Sequence, residues 1–445
     1  MTENLQKAPW EEGQYLPAGE ELDSIFDEFI PTPDQQAAIQ SLLDFIQDPQ
    51  TTSWYFCFRG YAGTGKTSCM REVARRTADS AVEIVYTTPT NKAAKVLRQI
   101  VGEASTIYSL LGLRVDKNGE TKKITHGKPV DLSEIDVIVI DEASMVNAHL
   151  FDLLQDVADK WHLKVIFMGD PAQLPPVKEV ESEALKGEIG VQLTQVMRHD
   201  NQILELVTRI RQTIFTPTPS VTIKNDNDGN EGVWKLSKLD FRKRIFQAAA
   251  NGEFADGKTT KVISWRNKLV DEYNQIVRQA IFGAQAQPGF YLPGDRIVAA
   301  GPCERGDEIL LHTDDEAVIE GAIECKHPLE PKYHALELKA RTEENQVIRL
   351  LVIHPISLQQ FLNDSELLAH EARGNPKLWK RFWEHRDMFH DIRYGNALTA
   401  HRSQGSTYIN CFVDFQDVLY NRNRTEAFKC LYVACSRARK RLFLA

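Results

Sequence analysis

No stretch of this 445-residue chain approaches the roughly 18 consecutive apolar residues of a membrane-spanning helix, so no membrane partner is expected. Residues 1–30 lack both the basic start and the hydrophobic stretch of a secretory signal. The seven cysteines (Cys57, Cys69, Cys303, Cys325, Cys411, Cys430, Cys435) form no CxxC pair. That argues against a disulfide framework and a zinc site, and it fits a reducing cytoplasm. No internal repeat is long enough for a solenoid. Positive charge is in deficit, with 53 Lys and Arg against 62 Asp and Glu. This counts weakly against a nucleic-acid partner, but the charge is unevenly spread. Residues 1–30 carry eight acids against Lys7 alone. The C-terminal end carries Arg422, Arg424, Lys429, Arg437, Arg439, Lys440 and Arg441 against Glu426 alone. A local basic surface can bind phosphates on a chain that is acidic overall.

The chain does carry a phosphate-binding signature. Gly60-Tyr61-Ala62-Gly63-Thr64-Gly65-Lys66-Thr67 fits G-x-x-x-x-G-K-[ST]. The apolar run Trp54–Phe58 predicts a buried strand before it. Met70, Val73, Ala74 and Thr77 at helical spacing predict a helix after it. Strand, glycine loop and helix together cradle phosphates on backbone N–H groups. Lys66 can reach the β and γ phosphates, and the Thr67 hydroxyl can ligate Mg²⁺.

The length predicts two to four domains, and an apolar content of 42% is enough to build cores. Residues 1–30 read as an acidic, loosely ordered arm. From Pro31 to about Gly190, strand candidates Trp54–Phe58, Val82–Thr87, Ile135–Ile140 and Leu163–Met168 alternate with helical segments. This is the pattern of a parallel sheet covered on both faces. Strands Lys261–Ser264 and Tyr408–Asp414, with Arg441–Leu444 as a final edge, predict a second α/β domain over 191–287 and 390–445. Within 288–389, short β-like runs at Gly294–Ala300, Glu308–His312, Ala317–Ile319, Ala335–Lys339 and Val347–Ile353 predict a small inserted barrel. A helical stretch with Leu378, Trp379, Phe382 and Trp383 follows. Inside the first domain, Asn118-Gly119 between β-like runs predicts a basic hairpin at about 111–131. By itself it reads equally well as a solvated surface hairpin.

The run Ile135–Ile140 ends in Asp141-Glu142. A buried strand that delivers two carboxylates at its C-terminal edge sets them beside the phosphate loop. Asp141 can hold the Mg²⁺ shell, and Glu142 can orient and deprotonate a water. The next strand ends in Gly169-Asp170-Pro171-Ala172-Gln173-Leu174-Pro175-Pro176, where Gln173 can feel a γ-phosphate through water. A rigid Pro-rich turn is the blander reading. Arg198 and Arg437 are candidate arginine fingers, donors that cannot deprotonate and that contribute on the order of 10³–10⁵ in rate.

Ten segments now stand in a recognisable order. They are Thr32–Gln35, Gly60–Thr67, Thr88–Ala94, Ser105–Ser109, Asp141-Glu142, Gly169–Pro176, Leu193–Arg198, Trp265–Asn267, Thr399–Gly405 and Leu431–Arg437. The chain resembles the superfamily 1 DNA helicases of the RecD-like branch, and most of all the compact Dda-type helicases of tailed phages. The likeness spans residues 32–439.

The resemblance implies an α/β fold of two RecA-like P-loop motor domains. The first would carry the hairpin as a strand-separating pin, and the second a small SH3-like β-barrel insertion. It implies ATP and Mg²⁺ as cofactors, with Gln35 reading the adenine edge; Thr32–Gln35 is also a good capping box. Gly60, Gly63, Gly65, Lys66, Thr67, Gln404 and Gly405 would line the nucleotide cleft. Lys66, Glu142, Gln173, Arg198 and Arg437 would serve hydrolysis. Pro89, Thr90, Thr106, Tyr108, Asn267, Thr399 and His401 would line a single-strand track through sugar–phosphate contacts that ignore sequence. Tyr108 stands where His is common, so stacking on a base suits it better than hydrogen bonding. No Phe, Tyr or Trp occurs between Leu111 and Ile135, so the pin would work by steric exclusion.

The expected activity is ATP-driven 5′-to-3′ tracking along single-stranded DNA and unwinding at single/double-strand junctions. It would take place in the cytoplasm of a bacterium or phage-infected cell, with replication or recombination proteins as partners. A translocase that strips proteins with little unwinding is the alternative. A GTPase-type switch is disfavoured, because Asn91-Lys92-Ala93-Ala94 and Asn267-Lys268-Leu269-Val270 both lack the Asp of the guanine motif.

Overall fold

The computed structural model describes residues 29–118, 121–126, 131–176, 178–195, 202–216, 218–306 and 308–445, with backbone only for 114–118 and 121–126. Two six-stranded sheets carry the fold. In the first, Ser105–Thr106, Ile84–Thr88, Val137–Ile140, Lys164–Gly169, Tyr55–Gly60 and Gly190–Leu193 lie side by side in that order, all parallel. Strands of such a sheet are covered on both faces, which is why Val137–Ile140 is apolar at every position. Val139 faces Ile39, Leu42, Met70 and Val73 of the helices Pro33–Gln47 and Lys66–Thr77. Ile138 and Ile140 face Leu150, Leu154 and Ala158 of the helix Ala148–Trp161. Each such fully buried side chain contributes about 1.5–3 kcal/mol.

The first sheet runs past the boundary expected at Gly190, because Gly190–Leu193 pairs with Tyr55–Gly60. A side chain at 190 would meet the Cys57 carbonyl oxygen at 2.1 Å, so the close approach needs glycine. Only Leu193 of this strand is buried, so its apolar pattern was too weak to read.

The second sheet has the order Ala397–Thr399, Thr260–Ser264, Tyr408–Val413, Ala438–Leu444, Gly232–Lys235 and Asp226–Asn227, parallel except for the last pair. The C-terminal strand is therefore interior and not the edge expected. Leu442, Phe443 and Leu444 are all buried, and they feed two cores on opposite faces.

An antiparallel sheet is inserted between the helix Asn267–Phe282 and the strand Ala397–Thr399. Its order is Val347–Ile353, His334–Thr342, Glu316–Lys326, Arg296–Ala299 and Ile392–Tyr394. It curls round a core of Ile297, Ala317, Ile319, Leu338, Leu350 and Ile392. The His390 N–H donates to the Leu351 carbonyl at 2.9 Å, tying the approach to one edge strand onto the other. Arg278, fully buried, bonds Asp295 at 2.7 and 3.0 Å where the insert leaves the second sheet. The helices Pro355–Gly374 and Trp379–Arg386 stand beside the insert. Trp379, Phe382 and Trp383 pack their rings on one another, with centroids 4.8–6.3 Å apart.

The hairpin pairs Leu113–Asn118 with Thr121–His126 in register through Asn118↔Thr121. Asp116, Lys117 and Asn118 thus lie in the first strand of the pair. The linking Gly119 and Glu120 lie outside the described residues, as does the arm 1–28.

Candidate functional site

The loop Gly60–Thr67 leaves the end of Tyr55–Gly60 and opens the helix Lys66–Thr77. Gly63 and Gly65 hold φ of 80° and 83°, the left-handed region that glycine enters at no steric cost. A Cβ at Gly60 would meet Thr64 Oγ1 at 2.7 Å, and one at Gly65 would meet Gln35 Nε2 at 2.5 Å. Backbone conformation thus calls for glycine at 63 and 65, and the Thr64 and Gln35 side chains pack closely against the loop. Lys66 Nζ donates to the carbonyls of Gly60 (2.6 Å) and Tyr61 (3.2 Å). Thr67 sits half-buried on the first turn of the helix.

Gln35 is buried behind this loop. Its Nε2 donates to the Thr64 carbonyl at 3.0 Å, and its Oε1 accepts from the Thr32 N–H at 3.0 Å. Thr32 and Gln35 form a full capping box. The structural role of Gln35 is thus visible, and both its amide atoms already hold a partner.

Asp141 and Glu142 follow the strand Val137–Ile140 beside the loop. Asp141 Oδ1 accepts the Glu142 N–H at 2.7 Å. Burial pushes the Asp141 carboxyl up, opposed by Lys66 and the Glu142 amide. Glu142 has φ 55°, uncommon for a residue with a side chain. Its carboxyl is pushed up from 4.5 to about 7, first by burial and then by the Asp141 charge, with Asp170 adding a little and Arg437 and Lys66 opposing. A carboxylate poised near neutrality suits a general base.

Gln173, buried in the turn after Lys164–Gly169, meets the second domain directly. Gln404 Nε2 donates to Gln173 Oε1 at 3.4 Å and approaches the Leu174 carbonyl at 3.5 Å. Gly405 holds φ 71°, and a Cβ there would lie 3.5 Å from the Ala93 Cβ of the helix Asn91–Val101. Arg437 is buried at the end of the helix Arg424–Ser436. Its fork donates to Val433 O (3.0 Å), Ser406 O (3.0 Å) and Ser436 Oγ (2.9 Å). Its charge reaches Glu142, though every bond it makes lies within its own domain. Arg198 lies outside the described residues.

The expected track residues sit on the rims of the two sheets. Thr90 and Thr106 use their hydroxyls as helix caps, accepting from Ala93 N–H (3.2 Å) and Ser109 N–H (3.1 Å). Pro89 is half-buried beside Thr90. Tyr108 is half-buried against the apolar cluster of the first domain, and burial pushes its hydroxyl pKa up. On the other side, Asn267 is exposed and its Oδ1 accepts from Arg393 at 3.0 Å. Thr399 Oγ1 accepts the Arg402 N–H at 3.4 Å, and His401 is exposed on the turn that follows. Although much of its surface is open, desolvation by the surrounding protein lowers the His401 pKa, only partly offset by Glu426.

Sequence reasoning missed two sets of residues. Lys92 and Lys95, on the first-domain helix Asn91–Val101, reach the insert. Lys95 pairs with Asp315 (3.0 Å) and Glu344 (2.8 Å), and Lys92 lies 3.9 Å from Glu316. Glu316 also pairs with Lys261 at 2.9 Å, a fully buried amine that burial pushes down to about 8. The other set is Tyr432 with Asp170. Tyr432 lies in the Leu431–Arg437 segment, but its position on a buried helix face gave no cue that its hydroxyl reaches Asp170 of the first domain.

Two family models match the chain. Residues 31–216 match an AAA domain, and residues 394–445 match a UvrD-like helicase C-terminal domain. An uncharacterized protein of Acanthamoeba polyphaga mimivirus is 26% identical, covering 92% of this chain and 98% of its own length. The ATP-dependent DNA helicase dda of Enterobacteria phage T4 is 25% identical, covering 86% of this chain and 92% of its own. Among solved structures, the Bacteroides Pif1 helicase in complex with ADP-AlF3 and ssDNA has a TM-score of 0.51 at 14% identity. It covers 94% of this chain and 92% of that one, a likeness of fold.

Proposed function

The chain belongs to the superfamily 1 helicases, in the Pif1/RecD-like group related to Dda, and from that premise we propose that it is an ATP-dependent DNA helicase tracking 5′ to 3′ along single-stranded DNA. One observation carries the catalytic assignment. Glu142, poised near neutrality, stands beside Asp141 and within the field of both Lys66 and Arg437, at a cleft closed from the other side by Gln404.

In this reading Lys66 exchanges the Gly60 and Tyr61 carbonyls for the β and γ phosphates of ATP. Glu142 orients the attacking water and takes its proton. Arg437 leaves its resting partners and stabilises the charge that builds on the transferring group, together with Arg198. Gln173 and Gln404 pass the state of the γ-phosphate between the motors. Gln35 offers its remaining lone pair and N–H to the adenine edge. Asp141 makes no ion pair among the described residues and is raised by burial, so a cation beside it and the Thr67 hydroxyl would be favourable. Mg²⁺ held there would neutralise phosphate charge.

Pro89, Thr90, Thr106 and Tyr108 from one motor and Asn267, Thr399 and His401 from the other form the strand track. Closing on ATP and opening after hydrolysis ratchets the two halves along one strand. The curled insert is an SH3-like barrel, and the hairpin Leu113–His126 is the pin at the junction. Replication or recombination proteins are the partners that suit such a motor.

The test compares ATPase stimulation by single strands with unwinding of 5′- and 3′-tailed DNA duplexes. Stimulation together with unwinding of the 5′-tailed substrate is expected. The missing aromatic between Leu111 and Ile135 favours a second reading, a translocase that displaces proteins. Stimulated ATPase with no unwinding of either duplex would select it.

A further inference from the structure

A single hydroxyl spans the cleft between the motors. Tyr432 sits on the helix Arg424–Ser436 of the second motor with only 1% of its surface exposed. Its O–H donates to Asp170 Oδ2 at 2.7 Å and accepts the Ala62 N–H at 3.0 Å. Both partners belong to the first motor. Ala62 lies in the phosphate loop, directly after the two carbonyls on which Lys66 rests. Asp170 opens the turn that carries Gln173. Its Oδ1 accepts the Ala172 N–H at 2.9 Å, and its carbonyl accepts the Gln173 N–H at 3.1 Å. One phenol thus joins the phosphate loop, the Gln173 turn and the helix that ends at Arg437.

The grip on the loop has a second point. Arg211, on the second-motor helix Gln202–Ile214, lies 3.8 Å over the Tyr61 ring. A purely structural tyrosine satisfies its hydroxyl inside its own core. Tyr432 instead places its only two partners across an interface that must open and close in each cycle.

We propose that Tyr432 is a positioning residue that couples occupancy of the phosphate loop to the arginine on its own helix. This rests on reading the cleft as the ATPase site. A loop amide that turns to phosphate leaves Tyr432 without its donor, while Asp170 still holds the hydroxyl. The helix can then shift relative to the loop, and Arg437, one turn further on, shifts with it. The bonds of the Arg437 fork to Val433 and Ser436 travel with the helix, and the one to the Ser406 carbonyl, which leaves it, is the bond that such a shift strains. Removing the hydroxyl severs the coupling without removing any group that touches the nucleotide.

Tyr432→Phe in the full chain tests this, because the ring and its packing stay. ATPase is measured with and without an oligo-dT strand, and kcat and KM for ATP are separated. Loss of a hydrogen bond to a carboxylate predicts a strand-stimulated kcat roughly tenfold lower. KM for ATP should move by less than about twofold, since uniform binding is untouched. Asp170→Asn leaves one acceptor oxygen where the Tyr432 hydroxyl and the Ala172 N–H now use two, and removes the charge, so its strand-stimulated kcat should also fall below wild type.

A Tyr432→Phe enzyme whose stimulated kcat stays within twofold of wild type would overturn the proposal. So would a loss expressed wholly in KM. If Tyr432→Phe does not fold, Asp170→Asn decides alone, and an unchanged stimulated kcat overturns the proposal. A wild type with no strand-stimulated ATPase sinks the ATPase reading first, and this inference with it.

Discussion

Glu142→Gln should abolish hydrolysis and at the same time stabilise the protein at alkaline pH. The carboxyl titrates at about 7 against an ordinary 4.5, so the native state holds its proton more tightly than the unfolded chain does. The stability tied to that proton is complete below pH 4.5 and is lost as pH rises through 7. The gap of 7 − 4.5 = 2.5 pH units corresponds to about 3 kcal/mol before screening by solvent in the open cleft, and about 1–3 kcal/mol after it. Gln cannot ionise, so Glu142→Gln should be more stable than wild type by that amount at about pH 8, and indistinguishable from it at about pH 4. Turnover should fall about 10²–10⁴-fold with the base removed, while ATP and single strands still bind. In wild type, kcat/KM should drop roughly tenfold per unit of pH below about 7, because only the ionised carboxylate accepts a proton. Thermal melting at the two pH values and steady-state ATPase over a pH series check all three. Near-normal turnover in the variant, or identical melting at pH 8, would refute the assignment of a neutral-range base.

Arg437→Lys keeps the charge but cannot span the three acceptors that its fork now holds, so kcat should fall about 10²-fold with a smaller change in ATP affinity. Unaltered strand-stimulated kcat would return it to a structural role. Cutting Asp116–Lys122 to a short Gly-containing turn should leave strand-stimulated ATPase largely intact while unwinding drops, and Lys117→Ala should matter much less. Equal harm to both activities would make the hairpin a structural part of its domain. Single-strand binding should weaken steeply with salt and vary little with sequence, as titrations at several ionic strengths would reveal; a flat salt response contradicts a phosphate-reading track. Asp295→Asn should destabilise the second motor by about 3–5 kcal/mol in denaturant melts, because it strips the fully buried Arg278 of its counter-charge.

The phosphate loop, the acidic pair and the four central strands of the first domain were legible in the chain because each rests on local chemistry. Glycine at 63 and 65 is demanded by φ, and an all-apolar Val137–Ile140 is demanded by burial on two faces. The capping box at Thr32–Gln35 was legible for the same reason: its partners lie three residues apart. Strand Gly190–Leu193 was not, since pairing with Tyr55–Gly60 gives it a place that its own burial pattern does not announce. The interior position of Ala438–Leu444 likewise depends on Gly232–Lys235, some two hundred residues earlier in the chain, arriving on its far side. Charges and hydroxyls that act across the cleft were hidden most completely. Tyr432 and Asp170 are 262 residues apart, and the Lys95–Asp315 pair joins a motor to an insert. The same holds for the titration of Glu142, which any strand-end acid could share on paper. Burial, the neighbouring Asp141 and the reach of Arg437 from the other domain set it near neutrality, and the cost of leaving water and the pull of nearby charges depend on distances that only the folded chain defines.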